Sequence, residues 1–572
     1  MAPSLTHDVL ILGAGLAGLR AAVELSHRTD GRIDIGIVSK VQLMRAHSVC
    51  AEGGTAAVLH EDEGDSIALH AWDSVKGSDF LADQDVVWRF CRAMPREIHL
   101  LDHWGVPWTR DEHGRIAQRP FGGHSYPRAT LAADKTGFFE MQALYDQLLR
   151  YRSFRRYDEL FVTDILVDEG RFAGLAGVHA PSGETVVLQA KALLIASGGA
   201  GTLYGFTTYS ETVTGDGLAM AYRAGLALED MEFLQFHPTG LVPSGILMTE
   251  GCRGEGGHLK NNQGERFMER YAPSKMELAP RDMVSRAEMT EILEGRGFPG
   301  PDGKDYLHLD LTHLGAERIN TRLPLIREVC MKFVGLDPIE QPIPIRPVAH
   351  YSMGGIAADI DGQTAVPNVW AAGEVACLSL HGANRLGSNS TAECLVWGGI
   401  CGEQIARVLP ALPAPAPLSS RAWAEHQDHM RSIVAREGSE NLYELRRELR
   451  TLMDAHVGVF RTREGLASAL DQIRDIRARS ARAPVADRSA VYNSNLFQAF
   501  ELENLVDLAE VTVMGALARE ESRGAHARRD FTTRDDERWL RHTLARHVPG
   551  GLPALDYSTV TIDTWTPVER KY

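Results

Sequence analysis

The sequence predicts an α/β chain: a Rossmann-like dinucleotide-binding domain with an inserted α+β capping domain, followed by a helical domain and a small C-terminal domain. Three observations carry this expectation. A strand, glycine turn, helix and second strand open the chain; a second glycine-bearing strand near residue 370 returns to the same sheet; helical patterns follow a proline-rich linker. At 572 residues the chain is too long for one hydrophobic core, which fits several domains.

The opening run, "HDVLILGAGLAGLRAAVELS", gives a buried apolar strand, a turn and an alanine-rich helix, and "RIDIGIVSK" supplies the next strand. Gly13, Ala14, Gly15 and Gly18 form the G-x-G-x-x-G turn that lets a pyrophosphate meet a helix N-terminus. Such a turn alone also occurs in unrelated α/β domains; here both flanks are right. The second strand ends in Ser39-Lys40 instead of the acid that grips an NAD ribose, which favours another dinucleotide. "KALLIASGGAGTLY" is a strand entering a Gly198-Gly199 turn, and "VPNVWAAGEVACLSLHGANRLGSNS" adds a strand and Glu374.

Residues 1–236 and 346–408 are therefore expected to form the dinucleotide domain, with 237–345 inserted as the cap. "LPALPAPAPLSS" (409–420) is a linker. Three helical patterns after it predict a three-helix bundle within 420–520, and 521–572 is strand-like and charged.

A net charge of −16 argues against nucleic acid as a partner and against direct adhesion to anionic lipid. No apolar run reaches the ~18 residues of a membrane helix, and the first strand begins too early for a signal peptide, so the chain is expected in the cytoplasm. Seven scattered cysteines without a CxxC read as reduced thiols and cannot hold an iron–sulfur cluster in a familiar way; no metal ligands are expected.

Several groups are suited to a dicarboxylate: His237 in "LQFHPTG", Thr249, Glu250 and Arg253 in "SGILMTEGCRGEGG", Arg281 in "APRDMVSRA", His350 in "RPVAHYSMGG" and Arg385 in "HGANRLGSNS". His237, His350 and Arg385 are expected beside glycine or proline in short breaks between apolar strands. Each has a plain alternative: Arg281 and Asp282 could be a surface ion pair, and Glu250 with Arg253 a local i, i+3 pair. Their company outweighs those alternatives.

With "MRAHSVCAEGGTAAV", "FGGHSYPRATLAADKTG", "VTGDG", "MEFLQFHPTG", "GILMTEGCRGEGG", "RPVAHYSMGGI" and "LHGANRLGSNS" in this order, the chain resembles the flavoprotein subunit of the fumarate reductase and succinate dehydrogenase family over nearly its whole length. "AEGGTAAV", "AADKTGF" and "ESRGAH" most resemble the bacterial fumarate reductase branch. The resemblance implies FAD bonded covalently to His47. Gly13, Ala14, Gly15, Gly18, Ser39, Lys40, Ser48, Glu52, Gly53, Gly54, Asp216, Glu374, Leu386, Ser388, Asn389 and Ser390 would hold the rest of the cofactor. His237, Thr249, His350 and Arg385, with Gly53 and Phe121, would clamp fumarate or succinate. Arg281 would deliver the proton, reloaded through Glu250 and Arg253.

The resemblance also implies partners: an iron–sulfur subunit, membrane anchor subunits binding quinone and a flavinylation assembly factor. The chain would then lie peripherally on the cytoplasmic face of the inner membrane. A succinate dehydrogenase working in the oxidative direction would use the same residues. L-aspartate oxidase shares the clamp but lacks the flavin-linking histidine, so His47 separates the two, and the complete set of site residues argues against an inactive scaffold.

Overall fold

The computed structural model describes residues 4–415 and 418–571. The strand Ser4–Leu12 lies at the centre of a seven-stranded sheet, paired in parallel with Ile35–Val38 on one side and Glu184–Ile195 on the other. Phe154–Tyr157 extends the parallel side, Arg171–His179 and Leu160–Asp168 continue the other side as an antiparallel meander, and Val369–Ala371 rejoins in parallel with Glu184–Ile195. The central strands are apolar on both faces because helices cover both: Val9, Leu10 and Ile11 are fully buried. Helix Leu16–Arg28 lies on one face against Asn389–Val408.

The inserted segment builds its own antiparallel sheet, in the order Leu234–Leu241, Ile343–Ser352, Leu307–Asp310, His258–Lys260. Its core, including Leu259, Leu309, Ile326 and Ile343, is separate from the main one. The adjacent strands Leu234–Leu241 and Ile343–Ser352 carry His237 and His350, so the junction of the two units is where the site lies.

The helical region departs from the expected three-helix bundle. Ser420–Val434, Leu442–His456 and Arg463–Ser480 are joined by a fourth helix, Ser494–Ala518, of 25 residues. That helix is buried on all sides and thus has no amphipathic stripe for periodicity to find. Its buried charges are paired outward: Glu501 with Lys40, Asp507 with Arg223, and Glu510 with Arg477. Of the expected linker, 416–417 lie outside the described residues. The C-terminal segment does not close a sheet of its own. Arg541–Arg546 and Ala554–Thr559 extend a five-stranded sheet whose other members are Leu228–Glu229, Gly355–Ala357 and Ala376–Cys377.

Candidate functional site

A cavity of about 820 Å³ opens at the C-terminal end of the central strands, where doubly wound sheets bind their ligands. Ala14 and Gly15 form its floor at the start of helix Leu16–Arg28. The turn demands its glycines. Gly13 has φ +113° and a Cβ there would sit 2.1 Å from the Ala196 carbonyl oxygen; a Cβ on Gly18 would sit 2.1 Å from that of Gly13. Ser48 Oγ accepts from the Leu16 amide at 3.3 Å, tying the His47 loop to this helix start.

Ser39, Lys40 and Asp216 line the same cavity. Lys40 Nζ donates to Thr214 Oγ1 (2.6 Å), Asp216 Oδ2 (2.7 Å) and Glu501 Oε1 (2.9 Å), so it is committed to protein acceptors. Glu374 also lines the cavity; its carboxylate accepts from Tyr209 Oη and from the Ser352 amide at 2.9 Å. Burial pushes the Glu374 carboxyl up to about 7.

His47 lies in a 3-10 turn, His47–Cys50, with its ring stacked on Tyr209 at 5.1 Å between centroids. Its Nδ1 is buried without a partner. Burial lowers its pKa to about 4, so the imidazole is neutral at pH 7. Glu52 Oε2 is likewise buried and unpartnered, its carboxyl held well above the usual range by burial and by Asp134. Gly54 (φ +119°) packs on the Thr130 carbonyl, and Gly53 lies against Phe121 and near Thr249 Oγ1.

The segment 386–390 is less uniform. Ser390 lines the cavity and Ser388, at φ +67°, opens helix Asn389–Val408, its Oγ buried without a partner. Leu386 instead packs against Gly77 and Gly123, and the Asn389 amide donates to Ser74 Oγ (3.3 Å). The side chains of Leu386 and Asn389 are therefore used by the protein, and the Asn389 N–H donates to the Leu386 carbonyl at 3.3 Å.

Beside this cavity, the cap junction gathers His237, Glu250, Arg253, Arg281, His350 and Arg385, nearly all fully buried. His350 also lines the cavity. Arg281 Nε donates to Glu250 Oε2 at 2.7 Å, and Arg253 Nη2 is 3.7 Å from the same oxygen. Gly122 N donates to Glu250 Oε1 at 2.6 Å. The rings of His237 and His350 meet edge-on, 4.9 Å apart, with His350 Nδ1 against Thr208 Oγ1 at 2.9 Å. His237 Nε2 and Arg385 Nε are buried without partners.

Charge decides the protonation states. Burial and the nearby Arg281 hold His237 and His350 well below 6.5, so both are neutral. Burial would raise Glu250, but Arg281 and Arg253 overcome it and hold the carboxyl at about 2. Burial brings Arg281 down to about 9 against the pull of Glu250, with Arg385 adding repulsion. The arrangement is a positively charged, desolvated pocket with N–H groups left over, suited to a small dianion.

The sequence reading missed Gln235, whose Oε1 accepts from both Arg281 Nη1 and Arg385 Nη2 at 3.1 Å and so fixes the spacing of the two guanidiniums. Its position two residues before His237 in a strand was the available signal. Tyr351, under Arg385 at 4.3 Å, and Tyr209 gave no such signal. Nor did Arg119, which donates to the carbonyls of Gly53 (3.2 Å) and Ala133 (3.0 Å).

Comparison with known proteins agrees with this geometry. Residues 8–391 match the FAD binding domain family and residues 446–572 the fumarate reductase flavoprotein C-terminal family. The fumarate reductase flavoprotein subunit of Mycobacterium tuberculosis is 43% identical over 581 residues, 99% of each chain. The succinate dehydrogenase flavoprotein subunit of Rickettsia bellii is 41% identical over 575 residues, 97% of this chain and 96% of that one. The E. coli quinol fumarate reductase flavoprotein superposes with a TM-score of 0.95 at 41% identity, covering 99% of this chain and 98% of that chain. The chain belongs to the fumarate reductase and succinate dehydrogenase flavoprotein family and is an FAD-dependent oxidoreductase.

Proposed function

We propose that this chain is the catalytic flavoprotein subunit of a quinol:fumarate reductase, interconverting fumarate and succinate. The observation that carries the reading is the pair of guanidiniums, Arg281 and Arg385, joined through Gln235 beside the neutral pair His237 and His350. Arg385 and the two histidines, with Thr249, Gly53 and Phe121 closing the pocket, grip two carboxylates at opposite ends. Positioning of this kind supplies on the order of 7 to 11 kcal/mol in favourable cases.

When bound, FAD supplies the two-electron hydride chemistry. The residues present fit it: glycine floor, helix N-terminus, and the unpartnered Nδ1 of His47 and Oγ of Ser388. His47 is the covalent attachment point, since a buried neutral imidazole with a free nitrogen can form that bond. Arg281, brought to about 9 by burial, is a workable acid at the substrate carbon, and Glu250 with Arg253 restores its proton.

Electrons pass to or from membrane quinone through an iron–sulfur partner and quinone-binding anchor subunits. The seven cysteines, spread along the chain, support placing the clusters elsewhere. No helix among the described residues is long and apolar enough to cross a membrane, in keeping with attachment at the cytoplasmic face through those partners. A flavinylation factor would act at the His47 loop.

Arg281→Lys tests the assignment. The variant should keep FAD and bind succinate, yet lose about a hundredfold or more of kcat; wild-type turnover would overturn it. Mass spectrometry of a tryptic digest should find the His47 peptide carrying FAD, and an unmodified peptide from active enzyme would move the reading toward a non-covalent oxidase.

A further inference from the structure

His124, in the stretch "FGGHSYPRATLAADKTG", belongs to neither the clamp nor the relay, yet it is buried with both ring nitrogens engaged. Arg128 Nη1 lies 3.2 Å from its Nδ1, and the Gly387 carbonyl oxygen lies 3.0 Å from its Nε2. A guanidinium can only donate, so Nδ1 accepts, and Nε2 carries the hydrogen and donates to Gly387. The ring is thereby fixed in one tautomer.

Arg128 is a firm anchor for it. The guanidinium is fully buried, with Nε and Nη2 on Asp65 at 2.8 and 2.6 Å and Nη1 on Asp73 at 2.5 Å. Asp73 also accepts from the amide and the hydroxyl of Ser125, the next residue after His124, at 2.7 Å each. The His70 ring packs 5.7 Å from that of His124.

The turn that carries His124 meets the site at two further points. The Gly122 amide donates to Glu250 Oε1 at 2.6 Å. Phe121 packs on Gly387, where a Cβ would sit 2.7 Å from the Phe121 ring, 2.8 Å from Glu250 Oε2 and 3.2 Å from Arg281 Nη2. Gly387 is thus the backbone against which the Arg281–Glu250 pair rests. Glu250 belongs to the inserted unit and Gly387 to the FAD-binding domain, so residues 121–124 tie the two together across the junction. The Ser388 carbonyl beyond Gly387 is held by a backbone group, the Ala56 amide at 3.0 Å, whereas the Gly387 carbonyl is held by the His124 side chain.

We propose that His124 is a positioning residue for the reaction: its hydrogen bond to the Gly387 carbonyl sets the distance of segment 386–388 from Arg281 and Glu250, and so the placement of the proton donor at the substrate carbon. His124 itself moves no proton. The proposal rests on the reading of Arg281 and Glu250 as donor and relay. A shift of about 1 Å at reacting groups costs up to roughly a hundredfold in rate, so a single bond to this backbone has leverage on turnover.

Two substitutions separate the bond from the space that the ring fills. In His124→Gln the amide nitrogen falls near the place of Nε2 and still donates to Gly387. In His124→Asn the amide falls near the place of Nδ1, facing Arg128, and leaves that carbonyl without a donor. Both are made in the FAD-loaded full chain and assayed for fumarate reduction with a reduced viologen dye. His124→Asn should lose about tenfold or more of kcat with KM for fumarate unchanged, and His124→Gln should stay within about threefold of wild type.

Wild-type kcat in His124→Asn, a loss that appears in KM and not in kcat, or an equal loss in both variants would overturn the proposal. Should His124→Asn fail to take up FAD, His124→Leu replaces it with the same expectation. If neither loads while His124→Gln does, His124 serves folding and the proposal falls. A dead Arg281→Lys beside a normal His124→Asn removes His124 alone; a normal Arg281→Lys removes the reading of the relay on which it rests.

Discussion

Two groups of buried arginines in this chain look alike in burial and differ in bookkeeping. Near the C-terminus, Arg519 spends all five of its N–H donors: on Glu232 (2.8 Å), Glu521 (3.0 Å), the carbonyls of Trp539 (2.9 Å) and Arg541 (2.8 Å), and Thr543 Oγ1 (3.0 Å). Arg523 and Arg528 are similarly engaged by Glu521, Asp536, Asp530 and backbone carbonyls. At the cap junction, Arg385 reaches only Gln235 at 3.1 Å and the Leu386 carbonyl at 3.5 Å, and its Nε has no partner. A buried cation without an anion is costly, so a fold that leaves Arg385 without one, beside Arg281 and Arg253 sharing the single carboxylate of Glu250, is prepared for an anion it does not itself contain. The satisfied group holds the chain's end to the FAD-binding domain; the unsatisfied group is the substrate clamp in the function proposed above.

The sharpest way to break this contrast is to remove one arginine from each group. Arg519→Met leaves Glu232 and Glu521 buried against fewer positive charges. It should cost about 3 to 5 kcal/mol of stability, measured by denaturant unfolding. A loss below about 1 kcal/mol would mean that full pairing does not mark a structural role.

Arg385→Gln should do the reverse. Removing a desolvated charge that repels Arg281 should leave the unfolding midpoint of the ligand-free protein unchanged or slightly higher. Affinity for succinate should fall by about thirtyfold or more, equivalent to 2 kcal/mol, read by calorimetry. Thermal stabilisation by a fixed concentration of succinate should be smaller in the variant than in wild type. Destabilisation of the free variant as large as that of Arg519→Met would erase the distinction.

The sequence exposed much of one group and little of the other. Arg281, Arg385, His237 and His350 stand near glycine or proline in otherwise apolar stretches, where unusual residues attract notice, although His237 and His350 lie within the strands Leu234–Leu241 and Ile343–Ser352 and not in the expected breaks between them. The doubly wound core was legible for a related reason, since the strand–turn–helix pattern around Gly13 to Gly18 is local. Gln235 was missed because its role depends on two arginines 46 and 150 residues away. Glu501 was missed because its helix is buried all round, and a charge there has no surface stripe to betray it. The strands 541–546 and 554–559 could not be assigned to a sheet from sequence, because the strand that joins them to it, Leu228–Glu229, is two residues long.

A third buried cluster offers the gentlest test of the same rule. His429, on helix Ser420–Val434, lies between Asp164 Oδ1 (2.7 Å) and Glu503 Oε2 (3.0 Å), while His426 Nδ1 meets Asp164 Oδ2 at 2.7 Å. Burial alone would lower the pKa of His429, but the two carboxylates overcome it and raise the imidazole from 6.5 to about 9. A group whose folded pKa lies above its unfolded value stabilises the fold fully below the unfolded pKa. That contribution is lost as pH rises through the folded one. Stability should therefore decline between pH 6.5 and about 9, by at most about 1.4 kcal/mol per pH unit from this residue. His429→Gln should flatten that decline in urea titrations across the window. Because both ring nitrogens of His429 are already partnered, this residue has nothing to offer a ligand, and the pH profile of kcat should be the same in the variant. A changed kcat profile would show that a fully paired buried cluster can still act on turnover, and pairing would lose its value as a guide to which buried charges serve chemistry.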